Sequence, residues 1–257
     1  MDNLIFSLNA TIPVFLTMVI GWALKQKGML TDGFCTVAEK FNFTVTLPAL
    51  LFKDIAGISI REAFDPVYTV FCAGATTVCF FGAWLGARMF MKEQYSVGAF
   101  VQACYRSSAA VLGIAFIQNI YGTSGMAPMM IVSSVPLFNI YAVLVLVLEN
   151  PENKGKGAAA IKKAVIGVAK NPIIWGIIIG AAFSLAGWTL PNILNKTVNN
   201  LASIATPLAL IVVGAGFEGR KALAKVKPTM IASAVKLVIQ PLIFLPSPCG
   251  WASPATR

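Results

Sequence analysis

Histidine is absent from the 257-residue sequence, and charged residues make up only 12% of it. The absence of histidine removes the most common metal-binding side chain and the most common general base. The sequence also lacks a Ser/His/Asp set, an HExxH motif, a phosphate-binding glycine loop and paired carboxylates within its apolar stretches. These absences argue against an enzyme, a metal site and a bound cofactor.

The cysteines are few and none forms a CxxC motif. Most of them lie in apolar runs, where a cysteine behaves as a small buried hydrophobic residue. The start of the chain, MDNLIFSLNATIP, lacks the basic segment of a cleavable signal peptide and leads directly into an apolar run. The five cysteines are Cys35, Cys72, Cys79, Cys104 and Cys249.

Hydrophobic residues make up 57% of the chain, and its mean hydropathy is +0.77. A soluble domain carries about 25% charged residues. The composition therefore predicts an all-α integral membrane protein in contact with the lipid bilayer. The net charge of +10 comes from basic residues between the apolar runs, a distribution typical of the positive-inside rule rather than of nucleic-acid binding.

A membrane-spanning helix needs about 20 apolar residues. Lysine and arginine concentrate in the loops after the odd-numbered apolar runs, which places those loops in the cytoplasm and the N-terminus outside. We expect a multi-pass protein of the bacterial inner membrane. The eight predicted spans cover residues 4–24, 35–57, 66–90, 98–120, 126–148, 168–188, 198–217 and 228–246.

Prolines and glycines recur at one ungapped offset of 159 positions, which indicates an internal repeat. Because the repeat unit holds five spans, the second copy is inverted, as in many secondary transporters. We therefore divide the chain into a first five-helix repeat (1–148), a cytoplasmic linker (149–165), an incomplete second repeat (166–246) and a tail (247–257). The matching pairs are Pro13 and Pro172, Gly21 and Gly180, Gly28 and Gly187, and Pro48 and Pro207.

The tail differs abruptly in character from the apolar span before it. A shifted reading frame from Leu245 allows an apolar continuation, ALAVWLGFTGD. We expect that the tail after about Leu245 is out of frame, and that the ancestral protein had ten spans, of which eight are present. A naturally short chain or a cloning artefact is the alternative.

The stretch 98–120 carries the strongest candidate site. Arg106, Ser107 and Ser108 lie in an apolar run, and an intramembrane charge indicates a functional role. We predict that these residues bind a substrate anion and that Gly113 marks a break in the helix. The alternative is that Arg106 extends to the cytoplasmic interface and that the serines serve helix packing.

Further candidates lie in the second, seventh and eighth spans. Pro48 and Pro207 occupy matching places and are predicted to shape their helices. Asn42 and Thr46, just before Pro48, are predicted to face the substrate cavity. The remaining candidates, for an ion-linked role, are the adjacent Lys53 and Asp54 and the intramembrane Lys236.

The motifs LPALLF, YRSSAAVLGIAFIQNIYG, NPIIWGIIIG and ATPLALIVVGAGF resemble the auxin efflux carrier family over about residues 10–245. The resemblance implies a ten-span carrier of the bile-acid symporter-like fold, whose fourth and ninth helices cross as broken helices at the substrate site. Bacterial members are similar to permeases for malate, malonate and other small carboxylates, and plant members carry auxin. Two positions depart from the family pattern, because Ser108 replaces an Asn and Ala115 stands where Pro is common.

The sequence thus predicts a secondary transporter that moves small organic anions by alternating access. Coupling to H⁺ or Na⁺ and assembly as a homodimer are left open. The alternatives are a non-transporting truncated membrane fragment and a membrane sensor or channel subunit.

Overall fold

The computed structural model describes residues 2–91, 93–107, 127–153 and 157–244. The regular elements in these ranges are all helical, which confirms the predicted all-α class for the described residues. They are α1 (Asp2–Gln26), α2 (Asp32–Phe41), α3 (Leu47–Ala56), α4 (Ile60–Ala63), α5 (Pro66–Phe90), α6 (Gln94–Tyr105), α7 (Ala127–Leu148), α8 (Gly157–Ala169), α9 (Pro172–Ala186), α10 (Asn192–Ala215), α11 (Gly219–Ala224), α12 (Val226–Ala234) and α13 (Gln240–Phe244).

Side-chain caps fix the starts of two of these helices. The Thr31 hydroxyl accepts a hydrogen bond from the Phe34 amide at 3.1 Å at the start of α2. Asp65 accepts one from the Tyr68 amide at 3.0 Å at the start of α5, where Pro66 takes the first helical position. Each residue type suits its position, because Thr and Asp are good N-caps and Pro needs no amide partner there.

Several helices are long and apolar enough to cross a membrane, as a multi-pass protein requires. Within the described ranges there are four, namely Pro66–Phe90, Met130–Leu148, Asn192–Ala215 and Val226–Phe244. A fifth span results if Ala158–Ala169 and Pro172–Ala186 are taken together across their 50° bend. The bend lies at the residue before Pro172, a position that disfavours helical geometry. The predicted number of eight spans, and its inverted repeat, stay predictions.

The chain forms two compact units that interleave in sequence. Unit 1 comprises Met1–Ser59 and Pro172–Leu223, and unit 2 comprises Ile60–Asn171 and Ala224–Arg257. Each unit therefore combines segments from both predicted repeats. The predicted linker 149–165 belongs to unit 2, where α8 already begins at Gly157, and the predicted tail 247–257 lies outside the described residues.

Among the described residues, short π-helical turns interrupt two helices. One covers Asn42–Thr46 between α2 and α3, and the other covers Val235–Ile239 between α12 and α13. A proline follows each turn at the second position of the next helix, as Pro48 and Pro241. Because a helical proline lacks an amide donor and crowds the preceding turn, a widened turn just before it relieves the conflict.

Unit 1 is held by close contacts between helix backbones. Helix α1 packs on α10, and α3 packs on α9. A Cβ atom added at Gly21 would collide with the Ile211 carbonyl, and one added at Gly180 would lie 2.9 Å from the Phe52 carbonyl. Small residues allow such approaches between membrane helices. The two contacts are related by the offset of 159 positions, since Gly180 and Ile211 match Gly21 and Phe52.

The same offset relates the helix ends of unit 1. Among the described residues, those with positive φ are Gly28 at 74° and Gly187 at 68°. The Gly28 amide donates to the Lys25 carbonyl at 3.0 Å, and the Gly187 amide donates to the Ser184 carbonyl at 3.3 Å. A left-handed glycine after a helix is a standard way to end it. Matching sequence positions thus adopt matching backbone geometry.

Unit 2 has an aromatic core around the fully buried Phe80, which stacks on Tyr141 with ring centroids 4.4 Å apart. At one end of this core, the buried Glu149 carboxylate accepts hydrogen bonds from Trp84 at 2.5 Å and from Arg88 at 2.6 Å. The Arg88 guanidinium also lies 5.0 Å from the Trp84 ring centroid. These contacts join α5 to the end of α7 and give unit 2 a fixed frame for α6.

We expect the substitution Gly214→Ala to destabilise the protein, because a Cβ atom there would collide with the Met18 carbonyl. Overpacking of this kind costs about 1–3 kcal/mol. Thermal unfolding in detergent measures the loss. Gly82→Ala is the matched control, since a Cβ there meets nothing within 4 Å and alanine favours a helix. Equal melting temperatures for the two variants would contradict the close α1–α10 packing.

Candidate functional site

The end of α6 is the centre of the candidate site. The helix stops at Tyr105, and Arg106 takes an extended conformation with φ −76° and ψ 131°. The helix therefore ends before Gly113, the residue predicted to mark the break. Gly113 and Ser108 themselves lie outside the described residues. The end occurs inside a predicted membrane span, where exposed backbone groups must find partners within the protein.

Helix α7 holds this end from one side. The Tyr105 hydroxyl donates to the Phe138 carbonyl at 3.0 Å. The next residue, Asn139, is buried and donates its side-chain amide to the Val135 carbonyl at 2.9 Å. This bond orients the Asn139 oxygen, which accepts a hydrogen bond from Arg106 at 3.3 Å. Tyr105 and Arg106 are thereby fixed to one turn of α7.

The Arg106 side chain is exposed. Its hydrogen bonds to Gln102 at 3.4 Å and to Asn139 at 3.3 Å are longer than the usual range. A guanidinium has five N–H donors in a planar fork that suits a carboxylate. Arg106 is therefore held by long, weak hydrogen bonds. Its N–H donors can still form hydrogen bonds to a carboxylate.

The helix formed by residues 226–244 holds the end of α6 from another side. Lys236, within the π turn, donates to the Arg106 carbonyl. Gln240, one turn later, donates its amide to the Cys104 carbonyl at 3.0 Å. Lys236 was predicted as an ion-linked residue of the eighth span, and the structure places it beside the backbone of Arg106.

Two cavities of unit 2 flank Lys236, which lines both of them. One, of about 520 Å³, is also lined by Ser107, Thr76, Ser134 and Gln240. The other, of about 680 Å³, is lined by Ser96, Lys225, Thr229 and Ser233. Among the described residues that line these cavities, none carries a carboxylate. Hydroxyl donors with an ammonium group suit a small anion better than a cation.

Asn42 and Thr46 lie in the π turn of unit 1 and are both buried. The Thr46 hydroxyl donates to the Asn42 side-chain oxygen. Asn42 also lines a groove of about 530 Å³, together with Thr36, Glu39 and Lys40. These two predicted site residues thus form a polar pair inside unit 1, whereas Arg106, Ser107 and Lys236 belong to unit 2.

The other predicted residues of unit 1 lie on α3 and α10. Pro48 follows the π turn, whereas Pro207 lies inside α10, which continues through it as an α-helix. Lys53 is exposed and Asp54 is half-buried near the end of α3. The predicted roles of these four residues in shaping helices and in ion linkage stay predictions.

Sequence reasoning missed the part played by Tyr105 and Thr76. The Tyr105 hydroxyl donates a hydrogen bond to the Phe138 carbonyl of α7, and the Thr76 hydroxyl donates one to Ser134 at 3.1 Å. Only the position of Tyr105 next to Arg106 hinted at its role. Thr76 is one of three threonines in the 25-residue apolar helix α5, and nothing in the sequence distinguishes it from the others.

At its start, α6 is bound by an ion pair between Glu93 and Lys225, with Ser96 donating to the same carboxylate at 3.2 Å. The hydrogen bond from Lys225 holds the pKa of Glu93 below its ordinary value of 4.5. The contribution of this pair to stability is therefore present above pH 4.5 and is lost as the pH falls through the lowered pKa. Because Glu93 is exposed, the contribution is small.

The sequence profile of the family described as "Membrane transport protein" matches residues 6–248. The chain belongs to this family, that of the auxin efflux carriers. The resemblance noted in the sequence is thereby confirmed, and membership makes the chain a multi-pass membrane transport protein.

Relatives in this transport family come from bacteria and an archaeon. The chain is 24% identical over 223 residues to the uncharacterized transporter YfdV of Escherichia coli (strain K12). The aligned region covers 85% of this chain and 71% of the relative. It is 23% identical over 239 residues to an uncharacterized transporter of Methanothermobacter thermautotrophicus. This aligned region covers 92% of this chain and 76% of the relative. The relatives' names state transport without a substrate.

We expect a cysteine placed at Ser107 to react with a water-soluble maleimide at least about tenfold faster than the native Cys104. Ser107 is exposed and lines a cavity, whereas Cys104 is fully buried three residues earlier. Labelling rates of the two single-cysteine variants in liposomes measure the difference. Equal rates would contradict a helix end that opens onto a water-accessible cavity.

Proposed function

We propose that the protein is a secondary transporter that moves small organic anions across the membrane by alternating access. The observation that carries this proposal is the end of α6 at Arg106 inside a predicted span, with Lys236 and hydroxyl groups around it. Secondary transporters commonly bind substrate where a helix is interrupted near the bilayer midplane. Family membership supports transport, and the charges at the site support an anion as the substrate.

The charges at the site favour an anion. Arg106 has weakly engaged donors, Lys236 lines both neighbouring cavities, and Ser107 offers a hydroxyl to one of them. A carboxylate that meets an arginine forms charge-assisted hydrogen bonds, which are about twice as strong as neutral ones. Dicarboxylates such as malate or malonate, and auxin-like carboxylates, are the substrates we propose. Ser108 and Gly113 complete the proposed binding segment.

The matched geometry of unit 1 supports an inverted repeat. Gly28 and Gly187 end their helices in the same left-handed conformation, and Gly21 and Gly180 make equivalent close contacts. Each compact unit also combines segments from both halves of the chain. We propose the bile-acid symporter-like plan, in which one bundle moves against a scaffold during alternating access.

The charge pattern of the loops supports an orientation in the membrane. Basic residues concentrate after the odd-numbered spans, so we propose a cytoplasmic location for those loops and an external N-terminus. Similarity to a transporter of Escherichia coli supports the bacterial inner membrane. Within unit 1, we propose that Asn42 and Thr46 contribute to binding and that Lys53 and Asp54 contribute to ion linkage.

The test is uptake of labelled malate or malonate into liposomes that contain the full chain. We expect saturable uptake that other carboxylates inhibit. Arg106→Ala should lower the uptake rate at low substrate concentration about ten- to a hundredfold, because hydrogen bonds to charged groups contribute about 1.5–3 kcal/mol. Lys162→Ala, which removes an exposed cation on α8, is the matched control and should leave uptake unchanged.

Two results would overturn the proposal. Unaltered uptake by Arg106→Ala would remove Arg106 from the binding site. Carboxylate binding without uptake, measured by calorimetry on the same preparation, would make the protein a sensor or a non-transporting fragment.

A further inference from the structure

The carbonyl groups at the end of α6 need donors from elsewhere in the protein. The last four carbonyls of a helix have no partner within the helix, and a free carbonyl inside a bilayer is costly. Helix α6 also lacks a basic residue in its own last turn. The Arg106 amide donates to the Gln102 carbonyl, and the Cys104 and Arg106 carbonyls take their donors from another segment.

The 226–244 helix supplies these donors, and one of them is a cation. Lys236 donates to the Arg106 carbonyl and Gln240 donates to the Cys104 carbonyl at 3.0 Å. The two donors are four residues apart, so they lie on one face of that helix. Lys236 places a positive charge at the negative end of the α6 dipole. The two side chains together cap α6 from a segment more than 120 residues away in sequence.

Lys225, which immediately precedes this helix, engages the start of α6. Lys225 pairs with Glu93 and donates to Ser96 at 3.3 Å. The 226–244 helix thus runs beside α6 in the same direction, with one lysine at each end of its neighbour. Lys225 and Lys236 both line the cavity of about 680 Å³, and of these two lysines only Lys236 bonds the end of α6.

We propose that Lys236 and Gln240 are positioning residues that hold the end of α6 in place and thereby present the donors of Arg106 and Ser107 to the substrate. The inference rests on the proposed function only for the identity of the site. Lys236 acts through the backbone of Arg106 and stays bonded to it. Without the cap, the end of α6 opens for part of the time, and the binding-competent state becomes a fraction of the population.

Cys104 reports directly on this opening, because its side chain is fully buried and its carbonyl is the one that Gln240 caps. In the full chain with Cys104 as its only cysteine, we expect Lys236→Met to raise the rate of maleimide labelling about tenfold. Lys236→Arg, which keeps a cationic donor, should restore slow labelling. Gln240→Leu should raise the rate by a smaller factor, and it serves as a second variant if Lys236→Met does not fold.

Lys225→Met is the matched control. It removes the same charge just before the same neighbouring helix, but at the start of α6, so labelling of Cys104 should stay slow. Faster labelling in Lys225→Met than in Lys236→Met would overturn the proposal, because general loosening of unit 2 would then explain the result. Slow labelling in both Lys236→Met and Gln240→Leu would overturn it as well.

Transport kinetics separate positioning from direct binding. If only a fraction of the molecules is competent, the apparent affinity falls by that fraction, and saturating substrate restores it. The labelling rate follows the open fraction, whereas KM follows the reciprocal of the competent fraction. Lys236→Met should therefore raise the KM for uptake only by as much as opening depletes the competent molecules, and it should change the maximal rate by less than about twofold. Saturating malate should also slow the labelling of Cys104 in this variant. A raised KM with unchanged labelling would instead make Lys236 a direct ligand and overturn the positioning role.

Labelling requires no substrate, so the inference and the proposed function fail in different ways. If malate is not transported but labelling follows the expected order, the cap stands and the proposed substrate fails. If malate is transported but labelling does not respond to the variants, the cap fails and the proposed function stands.

Discussion

A helix that ends inside a predicted membrane span must satisfy its terminal carbonyl groups from within the protein, and the surroundings of Arg106 meet this constraint. The α6 carbonyls receive donors from Lys236 and Gln240, while Tyr105 ties the same turn to α7. Because these partners come from separate segments, the helix end can exist only after unit 2 has assembled. The irregular backbone is thereby a product of tertiary structure rather than of local sequence alone.

The two units solve their packing problems differently. Unit 1 relies on glycines that let helices approach until backbone touches backbone, as at Gly21 and Gly180. Unit 2 relies on large aromatic side chains around Phe80 and on polar contacts such as those of Glu149. A glycine contact leaves no room for adjustment, whereas side-chain cavities beside Lys236 leave space for a ligand.

Sequence reasoning succeeded where the signal was local. The apolar run 66–90 was predicted as a span and forms a single helix with the same limits, and 126–148 differs by one residue from Ala127–Leu148. Run length and composition determine such helices almost alone. Arg106 stood out for the same reason, since one charge in an apolar run is visible without knowledge of the fold.

The contacts around Arg106 were beyond the reach of the sequence. Nothing in the spacing of Lys236 and Gln240 shows which carbonyls they meet, because their partners lie about 130 residues earlier. The π turns were also invisible, since a widened turn depends on how a helix accommodates a following proline and its neighbours. Even the recurrence of glycines at 159 positions indicated a repeat, but not that Gly21 would lie against Ile211.

The interleaved units have a consequence for biosynthesis. Helix α1 packs on α10, and Gly21 precedes its contact residue Ile211 by about 190 positions. At a synthesis rate of about 5–20 residues per second, α1 waits roughly 10–40 s for that partner. During this interval the face of α1 that packs on α10 lacks its partner. The order of translation therefore leaves unit 1 incomplete until most of unit 2 has already entered the membrane.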